Sequence, residues 1–335
     1  VYNVELQNMF GASALIEKYG NKDLEWQRTQ DKNIGVDLSV LNNRIRFSFD
    51  YYFKDTDPLL VSISMPASAA ATSLYTNLGR QISRGWTASL NYVFLRKQDV
   101  SCSINMNARA NHSEFRDIGD KLNYMNRVGS STVLNRYYEG GSPDDLWAVP
   151  SLGIDPATGR EVFIKLDGTR TFTYSADDKV VVGDTDPRFY GNVYTNVFYK
   201  GFSLYIMGSF KCGGYLYNVT RASRVEGTTG RTNVDRRAFD SRWKEVGDIA
   251  LYRNITEHSV PQQTDRFVEK ENVLTITSVN LGYEFPQRIC QKMMLRNLRL
   301  GVNLSDILRF SNVKVERGLD YLYGNGFEFT LSTTF

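Results

Sequence analysis

The residues best suited to chemistry gather in two segments. Tyr137, Tyr138, Asp144, Asp145 and Trp147 place aromatic rings beside carboxylates within one short stretch. Such a set can grip a sugar or a peptide, because ring faces cover apolar patches and carboxylates accept hydrogen bonds. The same residues can instead pack their own segment against itself. The second group is Arg231, Asp235, Arg236, Arg237, Asp240, Arg242 and Trp243. Its spacing predicts a short amphipathic helix with paired charges, in a structural role or, through Trp243, in contact with a ligand or lid.

Other chemistries find little support. Two histidines, His112 and His258, and three separated cysteines, Cys102, Cys212 and Cys290, argue against a histidine-based catalytic site, a zinc site or a disulfide framework. Asp177, Asp178, Asp184 and Asp186 lack the spacing of a calcium-binding loop and read as a solvated loop. Nothing among 37 acidic residues selects a pair for glycoside hydrolysis. The expectation is no enzyme, no catalytic residue, no metal and no cofactor. A net charge of +3 points away from a nucleic-acid partner.

Positioning such groups requires strands. Tyr and Phe are abundant, 20 and 19, against 8 Pro, and this favours β structure. No apolar run approaches the ~18 residues of a spanning helix. Alternation of apolar with small or polar residues recurs nine times. The runs are Ile34–Val40, Ile45–Phe53, Trp86–Phe94, Val100–Ala110, Phe189–Tyr199, Phe202–Phe210, Val273–Phe285, Leu298–Leu304 and a closing run from Tyr321 to Phe335. In the seventh, Val273, Thr275, Thr277, Val279, Leu281, Tyr283 and Phe285 are assigned to one face. The opposite faces carry Arg46, Asp50, Asn105, Asn107, Arg109, Arg299 and Asn303. Each run is roughly 8–12 residues, the length of a tilted membrane strand.

Connections alternate between tight and long. Asn42-Asn43, Arg96–Asp99 and Lys200-Gly201 are short, while loops are expected near 1–32, 54–84, 112–188, 213–272 and 306–323. Short turns at one end and long loops at the other describe an all-β, antiparallel, up-and-down transmembrane barrel. The lumen-facing set would then be Arg46, Asp50, Asn105, Asn107, Arg109, Arg299 and Asn303. Nine strands place Phe335 at the periplasmic rim and Val1 outside, so the chain is expected to be the C-terminal part of a larger barrel, since bacterial barrels have even strand numbers. Phe327, Phe329, Leu331 and Phe335 form a terminal aromatic pattern that resembles the signal read by the barrel-assembly machinery; lipid contact alone would also explain it.

Several motifs, in order along nearly the whole chain, resemble the C-terminal third of SusC/RagA-type TonB-dependent transporters of Bacteroidetes. They are Leu24-Glu25-Trp26-Gln27 with Asn33–Asp37, Asn43-Arg44-Ile45 with Tyr51-Tyr52, and Asn77-Leu78-Gly79 with Gly85-Trp86. Next come Gly183-Asp184 with Asp186-Pro187 and Tyr190-Gly191-Asn192, Arg242-Trp243 with Gly247-Asp248, and Leu281-Gly282-Tyr283-Glu284-Phe285-Pro286. Trp86 replaces the family's usual acidic residue, and Asn192 replaces a glycine. The resemblance implies a 22-stranded barrel with a plug and a TonB box, neither of which is in this chain. It also implies a SusD-like surface lipoprotein as lid, coupling to TonB-ExbB-ExbD, and import of glycan or peptide fragments across the bacterial outer membrane. A passive porin-type channel and a soluble β-rich surface adhesin are the alternatives; an upstream plug would separate the first, and detergent-dependent solubility the second.

Overall fold

The computed structural model describes residues 2–8, 11–16, 20–64, 73–119, 126, 136–228, 234–257, 260–314 and 324–334. Nine antiparallel strands form one sheet: β1 (Thr29–Val40), β2 (Ile45–Thr56), β3 (Arg80–Lys97), β4 (Val100–Arg116), β5 (Phe189–Tyr199), β6 (Phe202–Tyr217), β7 (Val268–Glu284), β8 (Asn297–Ser311) and β9 (Gly326–Thr334). Every strand pairs with its chain neighbour, so the order across the sheet is the order in sequence.

Local chemistry sets the tight turns. Leu41, Asn42 and Asn43 all have positive φ between β1 and β2, and asparagine tolerates that conformation better than most residues. Lys200 and Gly201, at φ of 43° and 89°, join β5 to β6, the left-handed pair that a two-residue hairpin needs. The longer β7–β8 connection, at the same end, holds a short helix over Gln287–Lys292. The long connections all leave from the opposite end.

The strands are longer than the alternating runs. Loops expected to begin at 54, 112 and 213 begin only after Thr56, Arg116 and Tyr217, and strands resume at Arg80, Val268 and Thr29, ahead of the expected Gly85, Val273 and Asn33. Likewise β8 continues to Ser311, past the expected Leu304. The reason is that alternation marks only the part of a strand that has an apolar face to present, whereas backbone pairing continues beyond it. Tyr321, Tyr323 and Phe335 lie outside the described residues.

Register puts the two sides of every strand on consistent faces. Leu38, Phe47, Leu90, Met106 and Val193 lie opposite one another in turn. On the far strands Leu281, Val302 and Phe329 do the same. This face is open: Ile34 is 76% exposed and Phe329 73%. Aromatic rings border its aliphatic middle. Tyr92, Tyr199, Phe202 and Tyr283 lie toward the tight turns, with Phe202 and Tyr283 4.4 Å apart. Tyr51, Trp86, Phe189 and Phe210 lie toward the loops, with Phe49 stacked on Trp86 at 6.3 Å. An apolar band between two aromatic belts is what a strand wall offers to lipid.

One expected face assignment is corrected. The β6–β7 and β7–β8 ladders both shift register around Thr277. Val279, Leu281 and Tyr283 share the apolar face with Leu274 and Ile276, while Val273 and Thr275 point to the polar side. A bulge adds one residue and so reverses the alternation beyond it. Another shift, between Val93 and Leu95, accounts for the broken pattern there.

The well-buried core is mostly elsewhere. Leu78, Phe115 and Ile118 form one cluster at the loop end of the sheet, and Val225, Ala238 and Tyr252 form another. Phe267, Val149 and Ala148, all in the long connections, are fully buried. The loops thus fold into a body with its own packed interior. Among the described residues no helix is long and apolar enough to cross a membrane, which says nothing of strands.

Candidate functional site

The polar face gathers all seven expected inward residues. Arg46 lies opposite Asn91, Asn91 opposite Asn105, and Asn105 opposite Tyr194. Asp50, Thr87, Arg109 and Tyr190 form the row nearer the loops. On the far side Asn280 pairs with Asn303, and Glu284 with Arg299. Side chains bond sideways along these rows. Asn91 donates to Asn105, Ser278 donates to Asn303 at 3.3 Å, and the Arg109 guanidinium lies 4.5 Å over the Tyr190 ring. A shallow depression of about 700 Å³ is lined by Tyr205, Asn280, Arg299, Asn303 and Ser332. Another of about 510 Å³ is lined by Asp50, Asn107, Arg109, Tyr190 and Lys211. This surface can exchange hydrogen bonds with hydroxyls and amides, and presents both charges.

Above it stands the loop body. A strand over Asp145–Ala148 pairs with Val180–Asp184, and this ladder positions the aromatic–carboxylate group. The five candidates separate. Tyr137 packs against Phe115 at 5.6 Å, and its backbone is held at both N–H and C=O by Asn126. It belongs to the loop core. Tyr138 is 60% exposed and stands 5.9 Å from Trp147, whose ring also lies under the Arg136 guanidinium. The Asp145 carboxylate accepts from the Ser142 N–H at 2.8 Å, and the Asp144 carbonyl accepts from the Thr185 N–H at 2.9 Å. Of the five, Tyr138 is the exposed one, with Trp147 half-buried beside it.

Asp144, Asp145 and Asp186 lie near one another and near Asp184. Burial first, and then mutual repulsion, raises the pKa of all three above the usual carboxylate value. A raised folded-state pKa stabilises the fold below the ordinary value of 3.8, and that contribution is lost as pH rises through the shifted one. At neutral pH the cluster therefore strains the loop. Asp186→Asn is expected to raise the loop's resistance to proteolysis at pH 7 and to lose that advantage near pH 4.

Trp243, expected to touch a ligand or lid, is corrected to a structural role. It is 8% exposed, and its indole N–H donates to the Pro156 carbonyl at 2.8 Å. It lies on the turn Asp155–Gly159, which joins the loop strands Ser151–Ile154 and Glu161–Ile164. Gly159 has φ of +69°, and a Cβ there would come within 2.5 Å of the Trp243 ring. Gly159→Ala is expected to cost roughly 1–3 kcal/mol of loop stability and to make Trp243 fluorescence accessible to acrylamide.

The expected amphipathic helix is only Arg237–Asp240. Arg236 pairs with Asp240 on its surface; Arg231 lies outside the described residues. Arg242 leaves the helix and is buried, donating to the carbonyls of Ala238, Arg253, Val225 and Glu226. Beside it is a charge network that sequence reading missed. Glu226, whose side chain is fully buried, accepts from Arg253 at 2.6 Å and from Arg266 at 2.7 Å. Arg266 also holds Glu161 at 2.7 Å. Burial opposes the Arg266 charge, but the bonds from Glu161 and Glu226 outweigh it and hold its pKa above the ordinary value. The four residues are far apart in sequence, and no local pattern links them.

Lys179, 2% exposed, donates to Gln263 at 2.6 Å. Burial and then the nearby Arg136 lower its pKa to about 8. The depressed value means that the loop body gains stability as pH rises from about 8 toward the unfolded 10.5. Thermal melts of the loop tryptophans should show this rise, and Lys179→Met should abolish it.

A lipid-facing band between aromatic belts, a polar opposite face and long loops gathered at one end define a strand wall of an outer-membrane β-barrel. The chain belongs to the TonB dependent receptor-like, beta-barrel family, which it matches over residues 4–303. Members are receptors and transporters of the outer membrane. TonB-dependent receptor P3 of Formosa agariphila is 24% identical over 321 residues, covering 89% of this chain and 31% of that protein. TonB-dependent receptor SusC of Bacteroides thetaiotaomicron is 22% identical over 275 residues, covering 79% and 27%. Among solved structures, the RagAB peptide transporter superposes with a TM-score of 0.81 at 20% identity, covering 99% of this chain and 38% of that one. The chain thus spans about a third of the length of these relatives.

Proposed function

We propose that this chain forms the C-terminal wall of a TonB-dependent importer that takes up glycan or peptide fragments with a SusD-like surface lipoprotein. The observation that carries the reading is the division of labour across one sheet: one face suits lipid, the other suits a hydrated solute, and the packed loop body crowns one end. In this reading Arg46, Asp50, Asn105, Asn107, Arg109, Arg299 and Asn303 face the lumen or plug. Tyr138 and Trp147 meet the ligand or the lid, with Asp144 and Asp145 shaping the turn beneath them. Energy enters through TonB-ExbB-ExbD at a part of the protein other than this wall. The family consists of transporters and receptors, and no residue here is assigned to catalysis.

The test uses the full-length protein with its neighbouring surface lipoprotein. Affinity capture of the barrel should co-purify the lipoprotein, and uptake of labelled oligosaccharide or peptide should stop when TonB is deleted. Tyr138→Ala combined with Trp147→Ala should weaken capture or uptake about tenfold or more, as loss of two aromatic contacts would. Uptake that continues without TonB would mean a passive channel and would overturn the proposal. Phe327, Phe329, Leu331 and Phe335 are assigned to recognition by the barrel-assembly machinery. Removal of Phe335 should reduce insertion, and unchanged insertion leaves only lipid contact for these rings.

A further inference from the structure

We propose that the lipid-facing side of β1–β3 carries a binding site for a phosphorylated lipid headgroup, built from Lys32 and Arg84 with Phe53 between them. Lys32 lies opposite Phe53, and Phe53 lies opposite Arg84. This row is one step toward the loops from Ile34, Tyr51 and Trp86, which end the apolar band. All three side chains therefore stand on the lipid side, at the height where aromatic rings give way to headgroups. The Lys32 ammonium lies 6.0 Å over the Phe53 ring, which shows that it leans toward the centre of the row.

Charge in this region is unevenly settled. Further toward the loops on the same face, Asp55 is held by Arg80 and Glu114 by Arg116. Lys32 and Arg84 have no ion pair among the described residues, and both are exposed. The Asp55 and Glu114 carboxylates on this face are thus already engaged. Lys32 and Arg84 stand two strand spacings apart, about 10 Å. Each side chain is long enough to reach inward, so both can converge on one phosphate above Phe53. The guanidinium supplies a planar pair of donors and the ammonium a compact charge. Phe53 offers an apolar floor for the first carbons of an acyl chain or a sugar face.

The inference rests on the lipid-facing assignment of this face, not on what the barrel transports. The occupant is a membrane lipid, since the row borders the apolar band and faces away from the polar side. The test is native mass spectrometry of the full-length protein in detergent with diphosphoryl lipid A, its dephosphorylated form, and inorganic phosphate as competitor. The wild-type protein should retain the phosphorylated lipid and release the dephosphorylated one. Lys32→Gln with Arg84→Gln should reduce retention about 25-fold, since each cation near an anionic surface contributes about fivefold. Lys54→Gln, whose side chain pairs with Asp31 on the opposite face, should change nothing. Heat-modifiable gel mobility checks that each variant has inserted, so failure of the barrel is read separately. Equal retention of both lipids, unchanged retention in the double variant, or displacement by free phosphate would each overturn the proposal.

Discussion

Replacing Glu226 by Ala should unfold the loop body while leaving the barrel in the membrane. Glu226 is the carboxylate between Arg253 and Arg266, and its own side chain is fully buried. Its removal takes a fully buried carboxylate from between two guanidiniums, and Arg266 keeps its bond to Glu161. Breaking one side of a buried pair costs about 3–5 kcal/mol, a large share of what a packed loop unit can hold. The loss should spread. Glu226 also supplies a backbone carbonyl to Arg242, and Arg242 ties together four segments of the body. Limited proteolysis of the full-length protein in outer-membrane vesicles should show new cleavage between residues 218 and 267. Heat-modifiable mobility of the barrel should stay as in the wild type. Cleavage no faster than wild type would show that the network contributes little.

The second large effect separates two neighbours in one strand. Met106 lies in the middle of the apolar band, opposite Leu90 and Val193, whereas Asn107 lies on the polar face opposite Ser89 and Asn192. Met106→Arg should destabilise the inserted barrel by about 2–4 kcal/mol, the cost of an arginine facing lipid near the midplane. Asn107→Arg adds the same charge one residue away and should leave insertion unchanged. Folding into vesicles, read by gel mobility across a urea series, measures both. Equal sensitivity at the two positions would contradict the assignment of faces.

The wall was legible because lipid demands it. A strand with one face in hydrocarbon must alternate, so Ile45, Phe47, Phe49, Tyr51 and Phe53 announce both the strand and its orientation. The same reasoning explains what escaped. Above the band, Arg84, His112 and Glu114 still sit in paired strands, but outside the hydrocarbon neither face must be apolar, so the need to alternate ends. At Thr277 two candidates for one face, a threonine and a serine, carry no hydrophobic signal, so the shift of register was invisible. The loop body was hidden for a different reason. Its core joins Phe115 to Leu78 and Tyr137, and Arg266 to Glu161 and Glu226, across separations that no local period records. Residues chosen for chemical promise were therefore partly packing residues, as Tyr137 and Trp243 show, and only contact geometry could tell them from Tyr138.

The bulge at Thr277 also bears on how such a wall can change over generations. A strand that must keep one face in lipid tolerates almost any residue of the right polarity, but it does not tolerate an odd change in length. One added residue between Leu281 and Glu284 would turn every later side chain of β7 to the wrong side, whereas two would merely slide the pattern. Single-residue gains and losses among relatives should therefore collect at Thr277, at Gly213 and at the Val93–Leu95 irregularity, where a phase change is already absorbed. Elsewhere in these strands, length should drift in steps of two.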